Sequence, residues 1–109
     1  MQVLTRAEEI LLLSILRLKD KAYSLTILKE IKHSTGKKPT IGSLWVSLDS
    51  LFKKDYIAKK LSGETPAKGG RKKVFYFLTP SGAKALRKTR EFQKSLWRGA
   101  DRRLKKIWA

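Results

Sequence analysis

Apolar residues recur at helical spacing in the first third of the chain. A Thr-x-x-Glu capping box that begins at Thr5 precedes a dense apolar series and predicts a helix over residues 6–18. Its apolar positions cover more than half of the helix circumference, so we expect it to be buried on several sides. A second apolar stripe follows Ser24, which we expect to be the N-cap, and predicts a helix over residues 25–34 that ends at Gly36.

The next apolar series predicts a third helix over residues 41–54 with two contrasting faces. The inner face, with Trp45 at its margin, contains the residues that we expect to pack against the first two helices: Ile41, Leu44, Leu48, Leu51 and Phe52. The opposite face has short side chains and almost no charge, so the helix can approach base edges closely in a DNA major groove. It contains Gly42, Ser43, Val46, Ser50 and Lys53, flanked by Ser47 and Asp49. Taken alone, this pattern is more typical of an ordinary solvated helix face, and only the residues that follow reverse that balance.

Two short β-rich runs come next, over residues 56–61 and 74–78, and they predict a hairpin. The connection between the two runs contains three glycines, one proline and four basic residues. The basic residues are Lys68, Arg71, Lys72 and Lys73. A basic loop of this kind can follow a phosphate backbone or enter a minor groove, although alone it could be merely solvated. A neutral helix followed by a basic hairpin is the order in which a winged helix-turn-helix presents itself to DNA.

The last segment predicts a long helix that opens with Thr79 as N-cap and Pro80 at the first helical position. It runs for more than twenty residues, with a bend or break near Gly99. Its apolar positions recur from Ala85 onward at spacings of three, four or seven. We expect those of the distal part to form a dimer interface: Phe92, Leu96, Ala100, Leu104 and Ile107. Ten basic residues on the same segment oppose such pairing, so either the charges point outward to DNA or the helix end is a basic tail. We expect residues 1–79 to form the DNA-binding domain and residues 80–109 the dimerisation helix.

Composition and charge limit the classes of function that are expected of this chain. With 109 residues and 41% apolar content, it can build one compact domain plus an accessory element. The net charge of +17 predicts a polyanion partner, with nucleic acid favoured over an anionic membrane surface. Cysteine is absent, His33 is the only histidine, and no phosphate-binding or nucleophile motif occurs, so we expect neither an enzyme nor a metal or cofactor site. The sequence shows no export signal, and a cytoplasmic location is expected.

The excess charge is unevenly distributed. Residues 1–20 and 40–55 are neutral overall, whereas residues 21–39 carry +4, residues 56–73 carry +5 and residues 74–109 carry +8. The neutral third helix therefore lies between basic segments. This division predicts that one element reads the bases and others provide electrostatic attachment.

The motif from Gly42 to Leu51, with the wing-to-helix run from Gly69 to Thr79, resembles the PadR-like transcriptional regulators. That family has a G-T-L-Y-x-x-L-x-x-L helix and a G-G-x-x-[RK]-[KR]-x-Y-x-L-T wing. The resemblance implies a mainly helical α+β fold, with a three-helix core, a two-stranded wing and a C-terminal dimerisation helix. It also implies a homodimer that represses by occupying a pseudo-palindromic operator in double-stranded DNA. One departure is Asp55, which stands where the family has a glycine-containing turn.

These arguments give the expected DNA contacts. On the recognition helix they are Thr40, Ser43, Trp45, Val46, Ser47, Ser50 and Lys53; on the wing and the adjoining basic loop they are Lys38, Lys68, Arg71, Lys72 and Lys73. Family members that sense planar aromatic compounds suggest a ligand between Trp97 and Trp108, although interface packing explains these indoles more simply. The alternatives left open are a sequence-indifferent nucleoid protein, an RNA-binding winged helix and a protein-interaction module.

Overall fold

The computed structural model describes residues 3–62 and 73–108. The described chain contains five α-helices and one two-stranded sheet: α1 (Arg6–Leu18), α2 (Ser24–Thr35), α3 (Ile41–Lys53), β1 (Ile57–Leu61), β2 (Val74–Leu78), α4 (Pro80–Trp97) and α5 (Ala100–Trp108). A short 3₁₀ turn, Lys19–Lys21, joins α1 to α2. This order confirms the predicted mainly helical fold with a two-stranded wing.

Most helix ends follow the predicted capping chemistry. At α1 the Thr5 hydroxyl accepts a hydrogen bond from the Glu8 amide at 3.1 Å, and the Glu8 carboxylate accepts one from the Thr5 amide at 2.9 Å. At α2 the prediction was wrong by one residue, because Tyr23 is the N-cap and Ser24 is already helical. The Thr26 hydroxyl accepts the Tyr23 amide there at 3.0 Å, which is the bond that the third helical residue makes to the N-cap amide in a capping box. Gly36 ends α2 in the left-handed region, as predicted.

The core is formed by one face from each of the first three helices, together with the start of the wing and of α4. Its buried apolar residues are Leu4, Leu11, Leu12, Ile15, Ala22, Ile27, Leu28, Leu44, Leu48, Leu51, Ile57 and Ala85. On α3 the buried positions recur every three or four residues, as expected. Ile41 and Phe52 were wrongly assigned to this face: both are exposed, because they lie at the margin of the stripe formed by Leu44, Leu48 and Leu51.

The wing is an antiparallel pair in which Ile57 lies opposite Leu78 and Leu61 opposite Val74. Beyond the last ladder position, the Ser62 amide donates to the Lys73 carbonyl at 2.9 Å. On the other edge of β2, the Tyr76 amide donates to the Ala22 carbonyl at 2.8 Å and ties the wing to the α1–α2 connection. The wing is therefore anchored on both edges of β2.

The C-terminal segment is two helices, with a break where a bend or break was predicted. Gly99 has φ of 79°, a left-handed conformation that separates α4 from α5. No residue of α5 is buried. The molecule measures 62 × 29 × 21 Å, and its radius of gyration of 16.9 Å exceeds the roughly 13 Å of a compact chain of this length. The C-terminal helices thus extend beyond the core.

Candidate nucleic-acid interface

The α3 helix is held by its cap and its inner face, which together determine the face it presents to solvent. The Thr40 hydroxyl accepts the Ser43 amide at 3.1 Å and begins the helix. Leu44, Leu48 and Leu51 are almost completely buried against the rest of the core. Since rotation of α3 would expose these three side chains, the opposite face has a fixed orientation.

The outward face of α3 is exposed and almost uncharged, as predicted. Val46 is 72% exposed and Trp45 is 58% exposed, while Ser43 and Ser50 are also at the surface. The only cation expected to contact DNA on this face, Lys53, forms an exposed ion pair with Asp49 at 3.0 Å. The face therefore offers hydroxyl and apolar groups to a groove, with its one positive charge already compensated.

Ser47 is half-buried rather than fully outward. Together with Ser43 it lines a cleft of about 290 Å³ between the α3 N-terminal half, α1 and the end of α2. Lys37 and Pro39 line the same cleft from the α2–α3 connection, and Lys38 beside them is exposed. Thr40 is exposed as well, but its hydroxyl oxygen already accepts the capping bond.

The described part of the wing adds aromatic and basic groups that the sequence reasoning did not pair. The Lys73 ammonium lies 4.4 Å from the centre of the Tyr23 ring, and Phe75 meets that ring edge-on at a centroid distance of 5.4 Å. At the other side of the sheet, the Lys59 ammonium lies 4.1 Å from the centre of the Phe52 ring. Both cations are thus held over aromatic rings of the helical core, Lys73 at the loop end of the wing and Lys59 in the middle of β1. The expected contacts Lys68, Arg71 and Lys72 lie outside the described residues.

One threonine connects the wing to both helices that flank it. The Thr79 amide donates to the Tyr56 carbonyl at 3.1 Å, and its hydroxyl donates to the Asp55 carbonyl at 2.6 Å. The same hydroxyl accepts the Gly82 amide at 3.0 Å as the N-cap of α4. Asp55 has φ of 64°, which an aspartate tolerates better than most residues and which the family places on glycine. Residue 79 therefore joins the end of α3, the wing and α4.

Four acidic residues of the helical core form ion pairs. The ion pairs in the described chain join Arg6 to Glu9, Arg17 to Glu30, Lys53 to Asp49 and Lys54 to Glu8. Partial burial pulls the pKa of Glu8 upward, but hydrogen bonds from Lys54 and Thr5 outweigh it and hold the pKa below its ordinary value. The cations of α4 and α5 have no such partner within 4 Å among the described residues. Four cations of the helical core are thus paired with acids, whereas none of the cations of the C-terminal helices is paired within the part of the chain that the structure describes.

The residues expected at a dimer interface occupy exposed positions. Leu96 is 62% and Ile107 81% exposed, Phe92 and Leu104 are exposed to a smaller degree, and Ala100 is half-buried. Trp97 and Trp108 are exposed and lie on different helices, separated by the break at Gly99. Ala85, the first position of the apolar series, is in contrast buried against the core of the same chain.

Other site types find no support in the described residues. No cluster of three potential metal-ligating side chains occurs in residues 3–62 and 73–108. In the same ranges, no helix has both the length and the apolar character needed to cross a membrane. His33 is exposed near the end of α2, as expected.

Solved structures share this architecture. A PadR family transcription regulator from Clostridium difficile is 28% identical, with 94% of this chain and 98% of that chain covered and a TM-score of 0.62. The structure described as the complex structure of hsRosR-S1 is 26% identical, with 94% and 84% covered and a TM-score of 0.70. A winged-helix DNA-binding protein from STIV shares the fold at 20% identity, with 87% and 95% covered and a TM-score of 0.67. No curated protein matches the chain significantly.

The family model settles the relationship that the motifs indicated. Residues 12–88, which include the α1 C-terminal half, α2, α3, the wing and the first half of α4, match the transcriptional regulator PadR-like family. That family is a class of transcription regulators rather than of enzymes. The chain belongs to the PadR-like family of transcriptional regulators and is a winged-helix DNA-binding protein.

Proposed function

We propose that the protein is a cytoplasmic repressor that reads a pseudo-palindromic operator as a homodimer. The observation that supports this best is the outward face of α3. This face is exposed, has mostly short side chains, and has its one cation paired with an acid, in a protein of net charge +17. A protein that held DNA by charge alone would gain nothing from a neutral surface of this kind. Serine hydroxyls can exchange hydrogen bonds with base edges, and Val46 can contact a thymine methyl group.

The remaining expected contacts are cations that anchor the protein to the DNA backbone. Lys38 precedes α3 and Lys73 directly precedes β2, so the two cations come before and after the neutral helix along the chain. We assign them, with Lys68, Arg71 and Lys72 of the wing connection, to the phosphate backbone. Such contacts set affinity and register and carry no base preference of their own.

Dimerisation is proposed from the exposed apolar surface of the C-terminal helices. Phe92 and Leu96 continue the α4 face that packs on α1, but they lie beyond the end of the core. Covering them, together with Ala100, Leu104 and Ile107, with the same surface of a second subunit would remove this apolar area from water. We assign Trp97 and Trp108 to the same packing. A planar aromatic ligand between them would need both subunits, since one chain separates the two indoles at Gly99.

Selection from a random duplex library, with the full-length protein, tests the proposal. The expected result is an inverted repeat whose half-sites lie about one helical turn, ~34 Å, apart. Enrichment of no motif, with equal affinity for all duplexes, would refute sequence-specific repression and favour the architectural alternative.

Two substitutions then separate reading from anchoring. Ser43→Ala should relax base preference at one position of each half-site, whereas Lys73→Ala should weaken all sequences alike and lower the salt slope by about 1. Ser95→Ala on α4 and Lys105→Ala on α5 are the matched controls, because they make the same chemical changes at exposed positions outside α3 and the wing. The reverse pattern would show that the two roles have been exchanged.

A further inference from the structure

The outward side of α4 carries a row of four cations, Lys84, Arg87, Lys88 and Lys94, here named the α4 ridge. At 100° per residue Lys84, Arg87 and Lys94 lie roughly 130–170° around the helix from the centre of the buried stripe of Gly82, Ala85 and Thr89, whereas the half-buried Lys88 lies at the flank of the ridge. Most of the ridge therefore points away from the core. A shallow cleft between its side chains is lined by Pro80, Ala83, Lys84, Arg87, Lys88 and Glu91.

No ridge cation forms an ion pair within 4 Å among residues 3–62 and 73–108, although Glu91 lies in the same row and offsets part of its charge. Every ion pair among the described residues lies within residues 6–54, and the only acid on the outward side of α4 is Glu91. Like charges three or four positions apart, as in Lys84 with Arg87 and Lys88, destabilise a helix unless counter-ions or a partner compensate them. A polyanion is the partner that removes this repulsion.

The ridge and the recognition helix lie on different sides of the protein, with α1 between them. The α1 side that meets α4 contains Glu9, Leu13 and Leu16, and the Gln93 amide donates to the Glu9 carboxylate at 3.1 Å. The α1 side that meets α3 contains Ala7, Ile10 and Leu11. These two sets are roughly 145° apart on the helix. Since the ridge also points away from α1, it should not face the stretch of straight duplex that α3 reads.

We propose that the α4 ridge binds the phosphate backbone of a second double-stranded DNA segment, so that the protein bridges two duplexes. The inference rests on the proposed function to the extent that α3 and the wing hold the first duplex. The ridge spans about 15 Å from Lys84 to Lys94, which is several phosphates of one strand. It has no hydrogen-bonding groups except long cationic side chains, so it attaches without regard to sequence.

The chemistry around the ridge favours DNA over a membrane surface. A helix that lies in a lipid interface needs bulky apolar side chains next to its cations, which penetrate the headgroup region. The neighbours of the ridge cations in the cleft are Pro80 and Ala83, and both are small. The bulky residues of α4, Phe92 and Leu96, lie on its other side.

A two-duplex capture assay tests the proposal with the full-length protein. One duplex, obtained by library selection, is immobilised and loaded with protein, and a fluorescent duplex of unrelated sequence is then added. The ridge variant Lys84→Gln, Arg87→Gln, Lys88→Gln, Lys94→Gln should hold the first duplex within about twofold of wild type. Its capture of the second duplex should fall by at least about tenfold, and the salt slope of that capture should fall by roughly 3 to 4. Circular dichroism and thermal melting confirm that the variant is folded.

The matched control removes the same charge from α5 through Arg102→Gln, Arg103→Gln, Lys105→Gln and Lys106→Gln. All four residues are exposed, and this variant should capture the second duplex as wild type does. An equal loss in both variants overturns the assignment to the ridge, and so does undiminished capture by the ridge variant. Ridge-dependent binding of phosphatidylserine vesicles or of an RNA hairpin, without capture of a second DNA duplex, overturns it as well.

The first step of the assay separates failure of this inference from failure of the proposed function. If wild type and a Ser43→Ala, Val46→Ala, Ser47→Ala variant retain the immobilised duplex equally, then α3 does not read it and the proposed function fails. If only wild type retains it, the proposed function stands, and capture of the second duplex decides the bridging inference alone.

Discussion

Among the described glycines, Gly82 should be the one at which a single added methyl group, as in Gly82→Ala, destabilises the protein most. A Cβ atom there would lie inside van der Waals contact with the Tyr56 carbonyl oxygen, 3.0 Å from its carbonyl carbon and 2.9 Å from Leu78 Cδ1. The carbonyl cannot move aside freely, because it accepts the Thr79 amide at 3.1 Å. Gly82→Ala therefore forces the first turn of α4 away from the base of the wing.

The magnitude follows from two opposing effects. Overpacking of a well-packed site costs about 1–3 kcal/mol. Replacing glycine with alanine within a helix returns up to about 1 kcal/mol through helix propensity. Because the clash involves backbone rather than a flexible side chain, we expect the upper part of the range and a net loss of about 2 kcal/mol. For a domain of this size, that corresponds to a decrease in melting temperature of roughly 10 °C.

Urea and thermal denaturation followed by circular dichroism, at fixed protein concentration, measure the effect. Gly42→Ala is the matched control, because Gly42 also lies in the first turn of a helix and a Cβ atom there would meet nothing within 4 Å. It should raise stability by a few tenths to about 1 kcal/mol. If Gly82→Ala is as stable as Gly42→Ala, the close packing of α4 on the wing base is refuted.

Two further predictions concern polar groups at helix contacts. Because folding lowers the pKa of Glu8 below its ordinary value of 4.5, its ionised form stabilises the protein above that pH and the contribution disappears as pH falls through the lowered pKa. Glu8→Gln, which can retain the capping box but not the charge beside Lys54, should therefore cost about 1 kcal/mol at pH 7. The difference from wild type in urea denaturation should vanish below the lowered pKa; a difference independent of pH would contradict the ion-pair explanation. Thr89→Val should cost about 1–2 kcal/mol, because the buried Thr89 hydroxyl accepts the Leu4 amide at 3.1 Å and valine leaves that amide without a partner. Thr79→Ser, which conserves a capping hydroxyl, is its control, and equal stability of Thr89→Val and wild type would show that the Leu4 contact contributes nothing.

The elements were predictable because their signals are local. The Thr5 capping box, the Thr79-Pro80 start of α4 and the glycine at the end of α2 each act within one helical turn, and each lies where the sequence indicates. The buried stripe of α3 was equally readable at Leu44, Leu48 and Leu51, since its period is that of the helix.

The sequence-based predictions were wrong or incomplete where contacts between different elements determine burial and side-chain pairing. Ile41 and Phe52 lie at the margin of the apolar stripe of α3, and only the packing of the neighbouring elements determines how far around the helix burial extends. Lys59 over the Phe52 ring and Lys73 over the Tyr23 ring join residues from separate elements, so only the pairing of the strands and helices brings them together. The placement of the α4 ridge and α3 on different sides of the protein likewise depends on which sides of α1 the two helices contact.

The hydrogen bonds around Thr79 connect these surfaces mechanically. A displacement of the α4 N-terminus must either break the bonds of Thr79 to Asp55 and Tyr56 or move the wing with it, because Thr79 is both the last residue of the wing and the cap of α4. The wing cannot follow freely, since the Tyr76 amide is bonded to the Ala22 carbonyl on its other edge. A subunit or a second duplex that binds α4 in one position therefore favours one position of the wing. By thermodynamic linkage, DNA on the wing must favour the same position of α4 to the same extent.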